Sequence, residues 1–68
     1  MKLSLKACRV NVKASVKEEA KAVGVSEDTV YKWEVGKCAP RLRHAQKLIA
    51  FYNSKGFNIA LDDINFLP

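Results

Sequence analysis

Between Ser15 and Gly36 the chain carries two helix-start signals and two helix-stop signals, and the inner pair, Gly24 and Ser26, are separated by one residue. Glycine supplies the left-handed backbone that ends a helix at little cost, and serine can accept a hydrogen bond from the first-turn N–H of the next helix. Upstream, Ser15-Val16-Lys17-Glu18 matches a capping box: Ser15 accepts from the third helical N–H and Glu18 reaches back to the N–H of Ser15. Helix two starts there and turns Val16, Ala20 and Val23 inward, with Ala20 small enough to let another helix approach. Helix three starts at Ser26, has Glu27 and Asp28 at the positive end of its dipole, buries Val30 and Trp33, and runs to about Val35 before Gly36. The segment from about 15 to 36 is therefore a helix, a tight turn and a second helix.

The rest of the 68 residues supports this pair. Ser4 caps a helix from about 5 to 12 with Leu5, Cys8 and Val12 on one face. Pro40 opens a fourth helix of about 12 residues with the stripe Leu42, Ala45, Leu48, Ile49 and Tyr52, stopped near Gly56. The tail from 57 to 68 holds Phe57, Ile59, Leu61, Ile64 and Phe66, and one more helical turn is expected around Leu61 to Asn65. No segment shows a convincing period of two. The predicted fold class is all-α, four helices and a short fifth joined by short loops, as one domain over residues 1–68. A chain this short buries only about 60% of its extended surface, so it needs a compact core, a staple or a partner subunit.

Composition narrows the functions open to such a domain. Lys and Arg number 12 against 7 Asp and Glu, a net charge of +5 that favours a polyanionic partner. With 49% apolar residues the chain is no disordered tail, and its longest apolar run, Leu48 to Tyr52, is far below the roughly 18 residues of a membrane span. The first residues lack the apolar stretch of a secretory signal, so a cytoplasmic protein is expected, with Cys8 and Cys38 as free thiols. Cys38 and His44 lack the paired spacing of a zinc site, and Asp62-Asp63 has no companion base, so neither a metal, a cofactor nor a catalytic activity is expected. A basic helix-turn-helix is suited to DNA, since the major groove, about 12 Å wide, admits one helix.

The residues Ala20-Lys21-Ala22-Val23-Gly24-Val25-Ser26, then Thr29-Val30, Trp33-Glu34-Val35-Gly36-Lys37 and Pro40, resemble the Cro and lambda-repressor-like helix-turn-helix family, common in phage and prophage regulators. The resemblance covers residues 4 to 66, and it implies a lambda-repressor-like fold and double-stranded DNA as partner. It implies that Arg9 in helix one pairs with Glu34 at the end of helix three, a planar guanidinium holding a carboxylate through two bonds. It also implies base-edge contacts from the outward face of helix three, Glu27, Asp28, Tyr31 and Lys32. Lys32 suits guanine O6 and N7, Glu27 or Asp28 suits cytosine N4, and Tyr31 suits a thymine methyl. For Asp28 service to the helix dipole alone is an equal alternative.

Phosphate contacts fix register rather than sequence. Lys37, Arg41 and Arg43 stand in a stretch from Lys37 to Lys55 with five basic residues and no acidic one; the family uses this loop and the start of helix four in that way. Lys13 and Lys17 flank the start of helix two, with Thr29 as a neutral donor. Two departures from the family pattern stand out. Where many members have Gln at the start of helix two this chain has Val16, and where they often have Gly and Leu in the preceding loop it has Lys13 and Ala14.

These residues together imply a sequence-specific DNA-binding regulator, a small phage or prophage repressor or Cro-like protein. One helix reads only a few base pairs, so a homodimer on a near-palindromic operator is expected, with the recognition helices about 34 Å apart. The apolar tail either contributes to that dimer contact or only closes the monomer core. The competing reading is a helix-turn-helix-derived protein-interaction module without specific DNA binding, favoured by Val16 and by the acidic Glu27-Asp28 pair.

Overall fold

A computed structural model describes residues 2–66. It is built from four α-helices and a two-stranded sheet: β1 (Leu3–Ser4), α1 (Leu5–Asn11), α2 (Val16–Val23), α3 (Glu27–Glu34), α4 (Leu42–Ser54), a single 3-10 turn (Leu61–Asp63) and β2 (Ile64–Asn65). Each of the first three helices starts at a serine. Ser4 Oγ accepts from Ala7 N at 3.1 Å, Ser15 Oγ from Glu18 N at 3.0 Å and Ser26 Oγ from Thr29 N at 3.2 Å, satisfying N–H groups that the first turn leaves unpaired. Gly24 ends α2 at φ +86°, and both Gly24 N and Val25 N donate to the Ala20 carbonyl, at 2.8 and 3.0 Å. A Cβ at Gly24 would meet open space, so the backbone conformation alone demands glycine there.

Four expectations are corrected. The single helical turn expected around Leu61 to Asn65 is present but ends earlier, as a 3-10 turn over Leu61–Asp63, and the chain then forms a strand pair that the all-α reading lacked, parallel to the first residues with Leu3 against Ile64 and Ser4 against Asn65. Such a pairing joins positions about 60 apart, and two residues per strand are too few to show a period in sequence. Pro40 lies outside α4, which begins at Leu42 with Arg41 at the N-cap position and no side-chain cap bond. Leu42 is 65% exposed, because the first residue of α4 overhangs the core and the buried stripe starts one turn later, at Ala45. Glu18 turns its carboxylate to Lys55 instead of reaching back to Ser15, leaving the capping box half made.

The core gathers around α2, which packs on both α3 and α4. Cys8, Val23, Val30, Leu48 and Tyr52 are all at most 1% exposed, and Trp33 is at 4%. Ile59 and Ile64 of the tail are buried in the same cluster, with Phe57 and Phe66 packed against it. Most of the tail's apolar surface thus closes the core; residues 67 and 68 lie outside the described residues. Burial pushes the Cys8 thiol up to about 11, with the nearby Glu19 carboxylate adding to it, so this cysteine behaves as a small apolar side chain. No helix among the described residues is long and apolar enough to cross a membrane.

Lys13 occupies the left-handed region at φ +58° in the loop between α1 and α2. A side chain there crowds the following carbonyl at a cost of about 1 kcal/mol. Lys13→Gly is expected to raise stability by about 0.5 to 1 kcal/mol, and Lys13→Ala by nothing comparable, because only glycine relieves a positive φ. Urea unfolding of both variants measures the difference.

Candidate nucleic-acid interface

The helix-turn-helix presents α3 by gripping it from behind. Val30 and Trp33 are buried, and the Trp33 ring lies 5.6 Å from the His44 ring at a tilt of 42°, tying the end of α3 to the first turns of α4. From α1, Arg9 Nε donates to Glu34 Oε2 at 2.7 Å and Nη2 donates to Glu34 Oε1 at 3.2 Å. A third bond runs from Arg9 Nη1 to the Ala14 carbonyl at 3.1 Å, so one guanidinium fastens α1, the loop before α2 and the C-terminal end of α3. The side chains are only 15% and 5% exposed, and the hydrogen bond to Glu34 is the main reason that the Arg9 guanidinium is held even more firmly charged than usual. The geometry is the bidentate one that suits arginine and a carboxylate and that lysine cannot reproduce.

With its inner side held, α3 turns Glu27, Asp28, Tyr31 and Lys32 to solvent. Tyr31 is 54% exposed, large for an aromatic ring with no partner across the core. Lys32 Nζ lies 3.1 Å from Asp28 Oδ2 one turn earlier, so a cation and an anion stand side by side on the outward face. Thr29 is half-buried and its hydroxyl is 2.9 Å from that of Ser26, part of the cap that starts the helix. A major-groove edge offers acceptors on guanine and donors on cytosine and adenine, and this face carries both complements.

The basic residues expected to contact phosphate are exposed. Lys37 follows α3, Arg41 stands at the N-cap position of α4 and Arg43 lies in its first turn; all three are exposed. Lys13 and Lys17, also exposed, flank the capped start of α2. Val16 is 8% exposed and belongs to the core, so the position where related proteins carry a polar side chain is spent here on packing. Lys55 pairs with Glu18 and lies over the Phe51 ring, 5.6 Å from its centroid, which gives it a structural role away from α3. Asp63 uses its carboxylate to accept from Ala60 N at 2.9 Å, an ordinary turn cap. Among the described residues no three His, Cys, Asp or Glu side chains come together as metal ligands would.

One buried group escaped the sequence reading. Glu19, in the middle of α2, is 1% exposed and its Oε1 accepts from the Tyr52 hydroxyl of α4 at 2.6 Å. Its spacing, three residues after Val16 and four before Val23, places it on the apolar stripe of α2, and that periodicity was the signal available.

A family model described as helix-turn-helix matches residues 5–58, from the first residue of α1 to the start of the tail. No curated protein and no solved structure matches the chain.

Proposed function

Because the chain belongs to the Cro and lambda-repressor-like helix-turn-helix family, whose members are DNA-binding regulators, we propose that it binds double-stranded DNA sequence-specifically as a transcriptional regulator, with α3 in the major groove. The observation that carries this reading is the division of α3 into two sides. Val30, Trp33 and Glu34 are taken up by the core and by Arg9, whereas Glu27, Asp28, Tyr31 and Lys32 are all left to solvent on one face.

In this proposal Lys32 donates to guanine O6 and N7 and a carboxylate of Asp28 or Glu27 accepts from a cytosine or adenine amino group, while Tyr31 lies against a thymine methyl. Lys37, Arg41 and Arg43 on one flank and Lys13 and Lys17 on the other neutralise backbone phosphates, with Thr29 as a neutral donor. The acidic tip of α3 gains nothing from the phosphates, so the flanks supply the affinity and α3 supplies the choice of sequence. A few base pairs per helix is too little for a unique site; the protein acts as a homodimer on a near-palindromic operator, in the manner of a small cytoplasmic phage or prophage repressor or Cro-like switch.

The rival reading, docking to another protein, draws on the core position of Val16 and on the apolar Tyr31 and Val35, 54% and 63% exposed. Salt separates the two. Affinity for a mixed-sequence duplex is expected to fall by about 1,000-fold or more between roughly 50 and 200 mM salt as released counterions are replaced. Absence of duplex binding, or binding indifferent to salt, removes the proposal and leaves the rival.

A further inference from the structure

Glu19 is the one charged residue fully buried among the described residues, and its carboxylate takes no part in the proposed DNA contacts. Among the described residues its carboxylate has a single hydrogen bond, the 2.6 Å contact from the Tyr52 hydroxyl, itself wholly buried on α4. The other charged and titratable groups that act on it come from the two remaining helices: Arg9 from α1, with Cys8 beside it, and Glu34 from α3. The interior therefore holds two carboxylates, Glu19 and Glu34, and one guanidinium. With both ionised the cluster is left with one uncompensated negative charge away from water; a single added proton removes it.

The geometry decides which carboxylate takes that proton. Glu34 is held by two charge-assisted bonds from Arg9, whereas Glu19 has one bond from a neutral phenol. The Tyr52 contact survives either state, since a phenol can donate to a carboxylate or accept from a carboxylic acid. We propose that Glu19 is a proton-binding site inside the folded core, and that its charge modulates the Arg9–Glu34 latch that holds α3.

Burial and the Glu34 carboxylate push the Glu19 carboxyl up, with the Tyr52 hydroxyl and Arg9 opposing; burial is the largest influence. A carboxyl raised on folding means that the folded chain binds a proton that the unfolded chain has released. The associated stability is full below the ordinary glutamate range, about 4.3, and is lost as pH rises through the folded value. Acidification from neutral pH toward that range thus tightens this part of the core, opposite to the effect on an exposed, salt-bridged carboxylate. Arg9, freed from the pull of a second carboxylate, is then held by Glu34 alone.

The test uses the whole chain without DNA, so its failure is separate from any failure of the proposed function. The Glu19 carboxyl carbon and the Arg9 Nε–H are followed by NMR as a function of pH. The expected result is a Glu19 midpoint above the range of an exposed glutamate, with the Arg9 Nε–H shifting at the same midpoint. Glu19→Gln should abolish that shift and flatten the rise in urea midpoint that the wild type shows on mild acidification. Tyr52→Phe, which removes the one hydrogen bond favouring the charged form, should move the Glu19 midpoint further up and covers the case in which Glu19→Gln does not fold. A Glu19 midpoint in the ordinary range, an Arg9 signal that ignores it, or a variant with the wild-type pH profile each overturns the proposal.

Discussion

Arg9→Ala is expected to destabilise the chain by about 2 to 4 kcal/mol and to lower its melting temperature by roughly 10 to 20 °C, the scale for a domain of this size. The size of the effect follows from what the guanidinium leaves behind. Glu34, only 5% exposed, loses both charge-assisted bonds, and the Ala14 carbonyl loses its 3.1 Å donor. Glu19 also loses the one cation acting on it among the described residues. Removing one partner of a buried pair strands the other charge, which costs far more than the few tenths of a kcal/mol of an exposed pair. Arg9→Lys should recover little, because an ammonium cannot span two carboxylate oxygens and a carbonyl with one planar group. DNA affinity is expected to fall with stability, since the same contact holds α3. Thermal unfolding of the two variants measures this, and an unchanged melting temperature in Arg9→Ala would show that the latch carries no stability.

Replacing Lys37, Arg41 and Arg43 together by alanine should have the larger effect on binding and almost none on folding. Their side chains are exposed and make no hydrogen bond or ion pair among the described residues. If each neutralises one phosphate in both protomers of the proposed dimer, six contacts are lost, the slope of log affinity against log salt becomes shallower by about 5 units, and affinity near 0.1 M salt falls by well over about 100-fold. The preference among bases should remain, because phosphate contacts carry no sequence information. Lys32→Ala is the counterpart: a loss of about 1 to 3 kcal/mol confined to one position of the site, with the salt slope changed little. A triple variant that keeps the wild-type slope would move the phosphate contacts away from the loop before α4.

The parts of this structure legible in sequence are those set by neighbours in the chain. Ser4, Ser15 and Ser26 cap helices because the groups they satisfy lie three residues away, and Gly24 ends α2 through its own backbone. The Arg9–Glu34 contact, 25 residues apart, came from family resemblance and not from any local rule. Where a partner lies far along the chain and no family pattern names it, sequence reasoning fell short. Glu19 sits on the apolar period of α2, yet its polarity argued for the surface, and the hydroxyl that satisfies it is 33 positions away. Glu18 suits its own helix cap by spacing but is bound by Lys55, 37 positions on. Leu42 fits the apolar stripe of α4 yet is exposed, because periodicity cannot say where along a helix the core ends.

The outward face of α3 follows the same division. That Glu27, Asp28, Tyr31 and Lys32 lie opposite Val30 and Trp33 is a consequence of helical period and was readable at once. That Lys32 and Asp28 stand 3.1 Å apart on that face depends on rotamers and was not. In the proposed mode of binding, an adjacent cation and anion would address neighbouring acceptor and donor groups on base edges, as a G·C-containing step offers them.

The central claim, that α3 reads a DNA sequence, is tested most directly by selecting bound duplexes from a pool of random sequence with the full chain. The account predicts enrichment of a short motif with G·C pairs, repeated as a near-palindrome with about one helical turn between half-site centres. A pool that stays random through successive rounds, with the folded protein present at micromolar concentration, would contradict it.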